Sequence, residues 1–409
     1  MNKIGLAKNQ MMEQEERGYG SIGKLVCEDC VGDYALKQFI TDNGDEGTCD
    51  YCDSEGVCID VESLIGKIMY GVRFEYEEAV ECMGVEKGEF VGADTWDTYD
   101  LLYEELGSDM ELNDDLLDDI VKTVNDTTWC ERNPYQLRES KEKASMWTAF
   151  SHIVKTKTRY VFFRMPERDK YQEEAAFLIL DHISNEIKRL DLIKPLPSGS
   201  KFYRGRMHDK KTKIELAKDL SSPPHEKAKS NRMSAEGISI FYGAGNEKTA
   251  ITEIYDSRYP LATIAIFQNL YDIQVIDLTQ ISNIPYPSLF DEKRRDYRES
   301  LAFLRELNDN LIRPIESMES IEYIPAQIVA EYFRFLYTYH SKSIDGIVYR
   351  SSKVKDSVCY ALFFDQSQCL ESDPKSLFPD LHKQMMKIDE TSISTYKVEV
   401  DIQLKRITS

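Results

Sequence analysis

Two groups of residues in this chain have the types and spacing for chemistry. The first is a pair of cysteine knuckles, Cys27-Glu28-Asp29-Cys30 and Cys49-Asp50-Tyr51-Cys52, with 18 residues between them. That is the paired CxxC spacing of a structural zinc site. Each knuckle offers two thiolates to one metal, and an intervening hairpin with turns at Gly44 and Gly47 is expected to bring the second pair to the first. Four thiolates leave no open coordination position, so such a site supports the fold and does no catalysis. The plain alternative is four reduced, unrelated thiols. Cys58 is a spare, while Cys82, Cys130, Cys359 and Cys369 are scattered and read as core residues.

The second group lies in the C-terminal half, where polar residues stand beside strand ends: Tyr203 and Arg204, Arg232, Tyr242, Glu253, Gln327, and the run Tyr349, Arg350 and Ser351. Arginine suits bidentate contact with phosphate. Tyrosine can lie against a flat ring. A carboxylate can hold ribose hydroxyls or stabilise positive charge on a sugar. Together they suit a nucleotide whose glycosidic bond is broken. Each also has a bland reading: arginines at strand ends form surface ion pairs, Tyr242 packs in a core, and Ser351 sits in a turn. Glu253 is the exception. Its helical neighbours are apolar, so it faces inward, and an unpaired buried carboxylate is costly. The C-terminal domain contains no HExxH, GxSxG or GxGxxG pattern.

These residues need elements to position them. In NRMSAEGISIFYGAGNEKTAITEIY (231–255), alternation predicts a strand ending near Tyr242. Gly243 and Gly245 allow a tight turn, and Asn246 caps a helix that returns Glu253. Short strands are expected at KFYRGR, LATIAIF, YDIQVIDL, GIVYRSS and VCYALFF, with a helix over 324–339 and a final edge strand over 396–404. Helical spacing is clearest in 172–193 and also marks 116–124 and 139–163. The fold class is therefore α+β, with an expected organisation of a lead (1–20), a zinc-ribbon-like module (21–60), an acidic helical domain (61–194), an α+β domain (195–385) and a C-terminal strand extension (386–409).

The net charge of −21 is unevenly spread. Residues 1–130 hold 9 Lys+Arg against 32 Asp+Glu, and residues 131–409 hold 42 against 40. An acidic N-terminal third repels nucleic acid, so none is expected as a partner. No 18-residue apolar run suggests a membrane span, and the N-terminus lacks a signal-peptide core, so a cytoplasmic location is expected.

Four blocks, FYRGR, NRMSAEGISIFYGAGNEKTAITEIY, YIPAQIVAEYF and DGIVYRSS, in that order and spacing, resemble the RES-domain family over roughly 195–370. The N-terminal half resembles the zinc-ribbon and HEPN-like regions that accompany some RES domains. The resemblance implies an ADP-ribosyltransferase-like fold and an enzyme that cleaves NAD at the nicotinamide–ribose bond, by phosphate or by water. It also implies a growth-arresting toxin or phage-defence effector, with an antitoxin or regulatory protein as partner. By the same resemblance Arg204 and Arg232 lie on the NAD phosphates, Tyr242 on the nicotinamide and Glu253 on its ribose. Gln327 is a polar position on the later helix. Some short members carry a serine three positions before that glutamine. This chain has Ile324 there, so either Ser351 is the relevant serine or that role is altered. A protein ADP-ribosyltransferase and a non-catalytic zinc-ribbon scaffold are the competing functions, and the oligomeric state, homo-oligomer included, is open. HEPN ribonucleases use an Arg-x(4–6)-His motif. Residues 1–195 contain only His152 and His182, neither so placed, and no ribonuclease activity is expected.

Overall fold

Two aspartates start the first helices. In the computed structural model, which describes residues 17–161, 178–312, 320–369, 384–398 and 404–406, Asp33 accepts from the N–H groups of Ala35 and Leu36, both at 2.9 Å, and opens α1 (Tyr34–Asn43). Asp60 accepts from Ser63 N–H at 2.8 Å and opens α2 (Val61–Glu75). Each cap satisfies donors that the helix cannot satisfy itself. The chain divides into two units, Met1–Glu139 with Tyr286–Glu299, and Ser140–Pro285 with Ser300–Ser409.

In the first unit β1 (Leu25–Cys27), β2 (Asp45–Thr48) and β3 (Glu55–Asp60) form an antiparallel sheet in the order β1-β3-β2. The segment between the cysteine knuckles is thus α1 followed by β2, not the expected hairpin. Leu36 and Ile40, four apart, are fully buried and anchor that helix. Gly44 follows the helix and Gly47 lies within β2. Residues 61–131 are likewise not a purely helical block. They include β4 (Tyr76–Glu78), a hairpin of β5 (Gly84–Glu86) and β6 (Glu89–Val91), β7 (Thr95–Asp97) and β8 (Thr128–Glu131), besides α3 (Asp114–Thr123). Strands of three or four residues are too short to display alternation, which is why the sequence conceals them. The core joins Leu64, Ile65 and Ile68 of α2 to Leu116 and Ile120 of α3. Leu289 and Phe290, far along the chain, belong to the same core and are 1% exposed. Gly71 admits the Phe290 ring, since a Cβ there would stand 2.5 Å from its Cδ1. Arg298 donates to Glu75 at 2.8 Å and Asp109 at 3.1 Å.

The second unit is built on a nine-stranded sheet. Its strands are β9 (Ile193–Leu196), β10 (Lys201–His208), β11 (Phe241–Ala244), β12 (Leu261–Asn269), β13 (Ile273–Asp277), β14 (Gly346–Arg350), β15 (Val358–Leu362), β16 (Met386–Val398) and β17 (Leu404–Arg406). Their spatial order is β17-β16-β12-β10-β11-β15-β14-β13-β9, antiparallel except between β13 and β14. Alternation sorts the side chains: Ile347 and Ala361 enter one apolar cluster, Val348 and Leu362 the other. The first cluster is closed by α4 (Glu139–Thr156), α5 (Ile179–Arg189), α7 (Arg298–Ile312) and α8 (Ile324–Phe335). Between β11 and β12 runs α6 (Glu247–Ile254), capped by Asn246 as its position in the sequence predicts. The C-terminal expectation needs correction: β16 pairs with β12 and lies inside the sheet, and β17 takes the edge. Polar Thr and Ser residues along β16 masked its strand character. Residues 1–16 of the lead, 162–163 and 172–177 of the expected helices, and 399–403 of the expected strand fall outside the described residues.

Candidate functional site

The site begins where the sheet opens. β10 pairs with β12 over eight residues but with β11 at one pair alone, Tyr203 with Ala244. Continuing that register would set Tyr242 opposite Gly205. Instead the Tyr242 carbonyl accepts from Arg204 Nη1 at 2.5 Å. The same guanidinium donates through Nε to Leu220 O (2.6 Å) and through Nη2 to Ser221 O (3.1 Å), and its Cζ lies 5.0 Å from the centre of the Phe241 ring. An arginine thus closes the gap that the missing ladder leaves. Burial pushes its pKa down to about 10.

Beside this gap lies a cavity of about 500 Å³, within the size range of ligand pockets. Its walls include Tyr203, Arg204, Arg232, Tyr242, Glu253 and Lys353. Tyr349 and Cys359 of the adjoining strands β14 and β15 complete the wall nearest Glu253. Gly205 matters to this arrangement, because a Cβ there would stand 2.1 Å from Ile264 Cδ1 and 2.8 Å from Ile254 Cδ1. A Cβ there would push both isoleucine ends aside, so the bare backbone lets Ile254 of α6 and Ile264 pack directly on β10. The tight turn expected of Gly243 and Gly245 is present between β11 and α6, though not through left-handed glycine backbone. Neither is among the residues with positive φ. A Cβ on Gly243 would stand 3.1 Å from Phe241 Cε1 and 3.2 Å from Phe202 Cβ, whereas one on Gly245 would meet Val358 at ordinary contact distance.

Glu253 is held from two sides. Ser351 Oγ donates to its Oε1 at 2.5 Å, with Cys359 Sγ 3.7 Å from the same oxygen. Burial pushes the Cys359 thiol up to about 12, so it remains a protonated donor. Ser351 Oγ in turn accepts from the N–H groups of Lys353 (3.1 Å) and Val354 (3.0 Å), which fixes its rotamer. Lys353 Nζ lies 4.0 Å from Glu253 Oε2. The carboxylate keeps 29% of its side-chain surface exposed.

Tyr242 presents its ring to the cavity and holds its hydroxyl 3.0 Å from Ser234 Oγ, and burial pushes that phenol up to about 12. Arg232 Cζ lies 6.0 Å from the centre of the Tyr349 ring. Gln327 is 7% exposed, and its amide donates to Ser230 Oγ, Asn231 O and Ser234 O at 2.8–3.1 Å. It therefore secures the loop carrying Arg232. The structure brings Arg204, Arg232, Tyr242 and Glu253 to one cavity, with Ser351 on the carboxylate and Gln327 one layer behind. Sequence reasoning missed Lys353 and Cys359 as parts of the wall. Tyr203 and Tyr349 stand there as the strand-end pattern suggests, but a lysine in a serine-rich turn carries no signal.

In the first unit the four expected thiols do converge. The Sγ atoms of Cys27, Cys30, Cys49 and Cys52 all lie within 4.8 Å of one another. Three of the separations are 3.4, 3.7 and 4.0 Å. A tetrahedron with Zn–S bonds of about 2.3 Å has S–S edges of roughly 3.8 Å, so the donor set fits a metal ion. The Cys27 N–H donates to Cys49 Sγ at 3.4 Å, as outer groups do around thiolate sites. Cys58, opposite Cys27 in the β1–β3 register, is not part of the group.

Among the described residues no helix is long and apolar enough to cross a membrane. No curated protein and no solved structure matches the chain. Residues 42–168 match HEPN/RES N-terminal domain 1, a span that takes in the second cysteine pair but not the first. Residues 201–384, the span that carries the cavity, match the RES domain.

Proposed function

We propose, on the premise that this chain belongs to the RES domain family, that it degrades NAD by cleaving the nicotinamide–ribose bond. The observation that carries this reading is the carboxylate of Glu253, fixed by Ser351 in a cavity walled by tyrosines and cations. Tyr242 and Tyr349 offer faces to a flat pyridinium ring. Arg232 is the arginine offered to the phosphates, while Arg204 spends its donors on three backbone carbonyls and holds the wall.

The chemistry asks little more of the protein. The C1′–N bond breaks, and its electron pair returns to the nicotinamide nitrogen. The leaving group is then a neutral pyridine, so no general acid has to protonate it. Positive charge develops on the ribose, and Glu253 stabilises it at short range in a site partly shielded from water. An acceptor oxygen, from water or phosphate, then closes on C1′ and releases its proton to solvent. Ser351 keeps the carboxylate aimed during this step. In this reading the four thiolates hold a structural zinc ion, and the activity stops growth unless a partner protein restrains it. Expression of the wild-type chain should arrest cells and deplete their NAD, while Glu253→Gln should do neither. Growth arrest that persists in Glu253→Gln at equal protein level would favour a scaffold over an enzyme.

A further inference from the structure

The three cations lining the cavity are not equivalent. Nε, Nη1 and Nη2 of Arg204 each donate to a backbone carbonyl. The Arg232 guanidinium is paired with the Tyr349 ring. Lys353 is placed differently. It sits in the turn between β14 and β15, with 48% of its side chain exposed. Its Nζ donates to Glu253 O at 2.8 Å and Thr252 O at 3.4 Å, the last carbonyls of α6. That end of a helix carries partial negative charge and favours a cation. An ammonium has three N–H groups, and two suffice for these carbonyls.

The remaining feature is a cost. Lys353 Nζ stands 4.0 Å from Glu253 Oε2. A positive charge there opposes the negative field that a cationic sugar needs. The conflict disappears once an anion arrives. The ammonium then pairs with the anion, and the carboxylate is left to the ribose.

We propose that Lys353 binds a phosphoryl oxygen of the reactants and so sets which substrate or acceptor the site accepts. The inference rests on the NAD-cleaving reading above. Phosphoryl oxygen has two sources here, the pyrophosphate of the dinucleotide and free inorganic phosphate acting as acceptor. Both present the same charge and donor demand to a lysine.

The test is steady-state kinetics on the full chain with NAD and with nicotinamide riboside, which has the scissile bond but no phosphate, each with and without inorganic phosphate. Lys353→Met keeps most of the stem and removes the charge. Lys353→Gln keeps a donor for the two carbonyls and carries the test if the methionine variant unfolds at lower temperature. Loss of one charge-assisted contact should raise the affected KM about ten- to a hundredfold with little change in kcat. If the contact is to the pyrophosphate, KM for NAD rises without added phosphate and the riboside is unaffected. If it is to the acceptor, KM for inorganic phosphate rises with either substrate. Lys353→Arg should recover most of the loss in both cases. Unchanged KM values for NAD and phosphate in both uncharged variants, beside an active wild type, would overturn the proposal. A wild type that cleaves neither substrate would instead overturn the reading beneath it.

Discussion

Replacing Arg204 by methionine separates two roles that an arginine at this position can have. If its first duty is to close the gap between β10 and β11, its loss is a folding defect. The carbonyls of Leu220 and Ser221 belong to residues 2% and 5% exposed, and that of Tyr242 has no ladder partner across the gap. Leaving a buried acceptor without a donor costs about 1–3 kcal/mol. Loss of the contact with Phe241 adds about 0.5–1 kcal/mol. Against this, burial disfavours the guanidinium charge, as its lowered pKa shows, and removing the charge returns part of that cost. A net loss of about 2–4 kcal/mol remains. In a unit of this size that is on the order of 5–10 °C in the unfolding temperature. Differential scanning calorimetry of the full chain, with the transitions assigned by parallel variants in each unit, gives the shift. An unchanged unfolding temperature together with a KM for NAD raised tenfold or more would refute the reasoning and return Arg204 to the phosphates.

Three further outcomes follow from the same geometry. Phe290→Ala should destabilise the first unit by about 3–5 kcal/mol, the usual cost of removing a fully buried ring, and calorimetry should show the second unit's transition unmoved. Metal analysis of the purified chain should return one zinc per molecule. Cys49→Ser should lose it and lower the first unit's unfolding temperature, whereas Cys58→Ser should keep it. The pH dependence has a definite sign. The buried Tyr242 phenol titrates near 12 and the same group in the unfolded chain near its ordinary value of 10. Between those values the unfolded state binds fewer protons, so the stability of the second unit falls as pH rises from 10 to 12. Tyr349, held well above its ordinary value by burial, acts in the same direction. Thermal unfolding against pH should show a shallower decline in Tyr242→Phe.

Local rules carried the sequence reading as far as local rules reach. Asn246 followed by apolar residues at helical spacing marked α6, and the run LATIAIF marked β12, whose buried length places it inside the sheet. The cysteine knuckles gave their own convergence, because CxxC pairs act through spacing alone. What stayed hidden depends on contacts far apart in sequence. Nothing in the run around Phe290 indicates that it fills a core with α2 and α3. The three- and four-residue strands of the first unit hold together through partners such as Trp129, which is 2% exposed, not through a pattern of their own. At the site, residue types suggested an anion and a flat ring. They could not show that Arg204 spends three donors on the backbone, since that follows from where β10 leaves β11. Nor could they separate Gln327, which holds a loop, from side chains that line the cavity.

The central claim is that Glu253 drives cleavage of the nicotinamide–ribose bond, and one measurement tests it most directly. Purified wild-type chain and Glu253→Gln, matched in unfolding temperature, are incubated with NAD, and released nicotinamide is quantified by mass with and without phosphate. The account predicts one nicotinamide per NAD consumed by the wild type, and a rate lower by on the order of 10²–10³ in the variant. Equal rates in the two proteins, or NAD left intact by the wild type in both buffers, would contradict it.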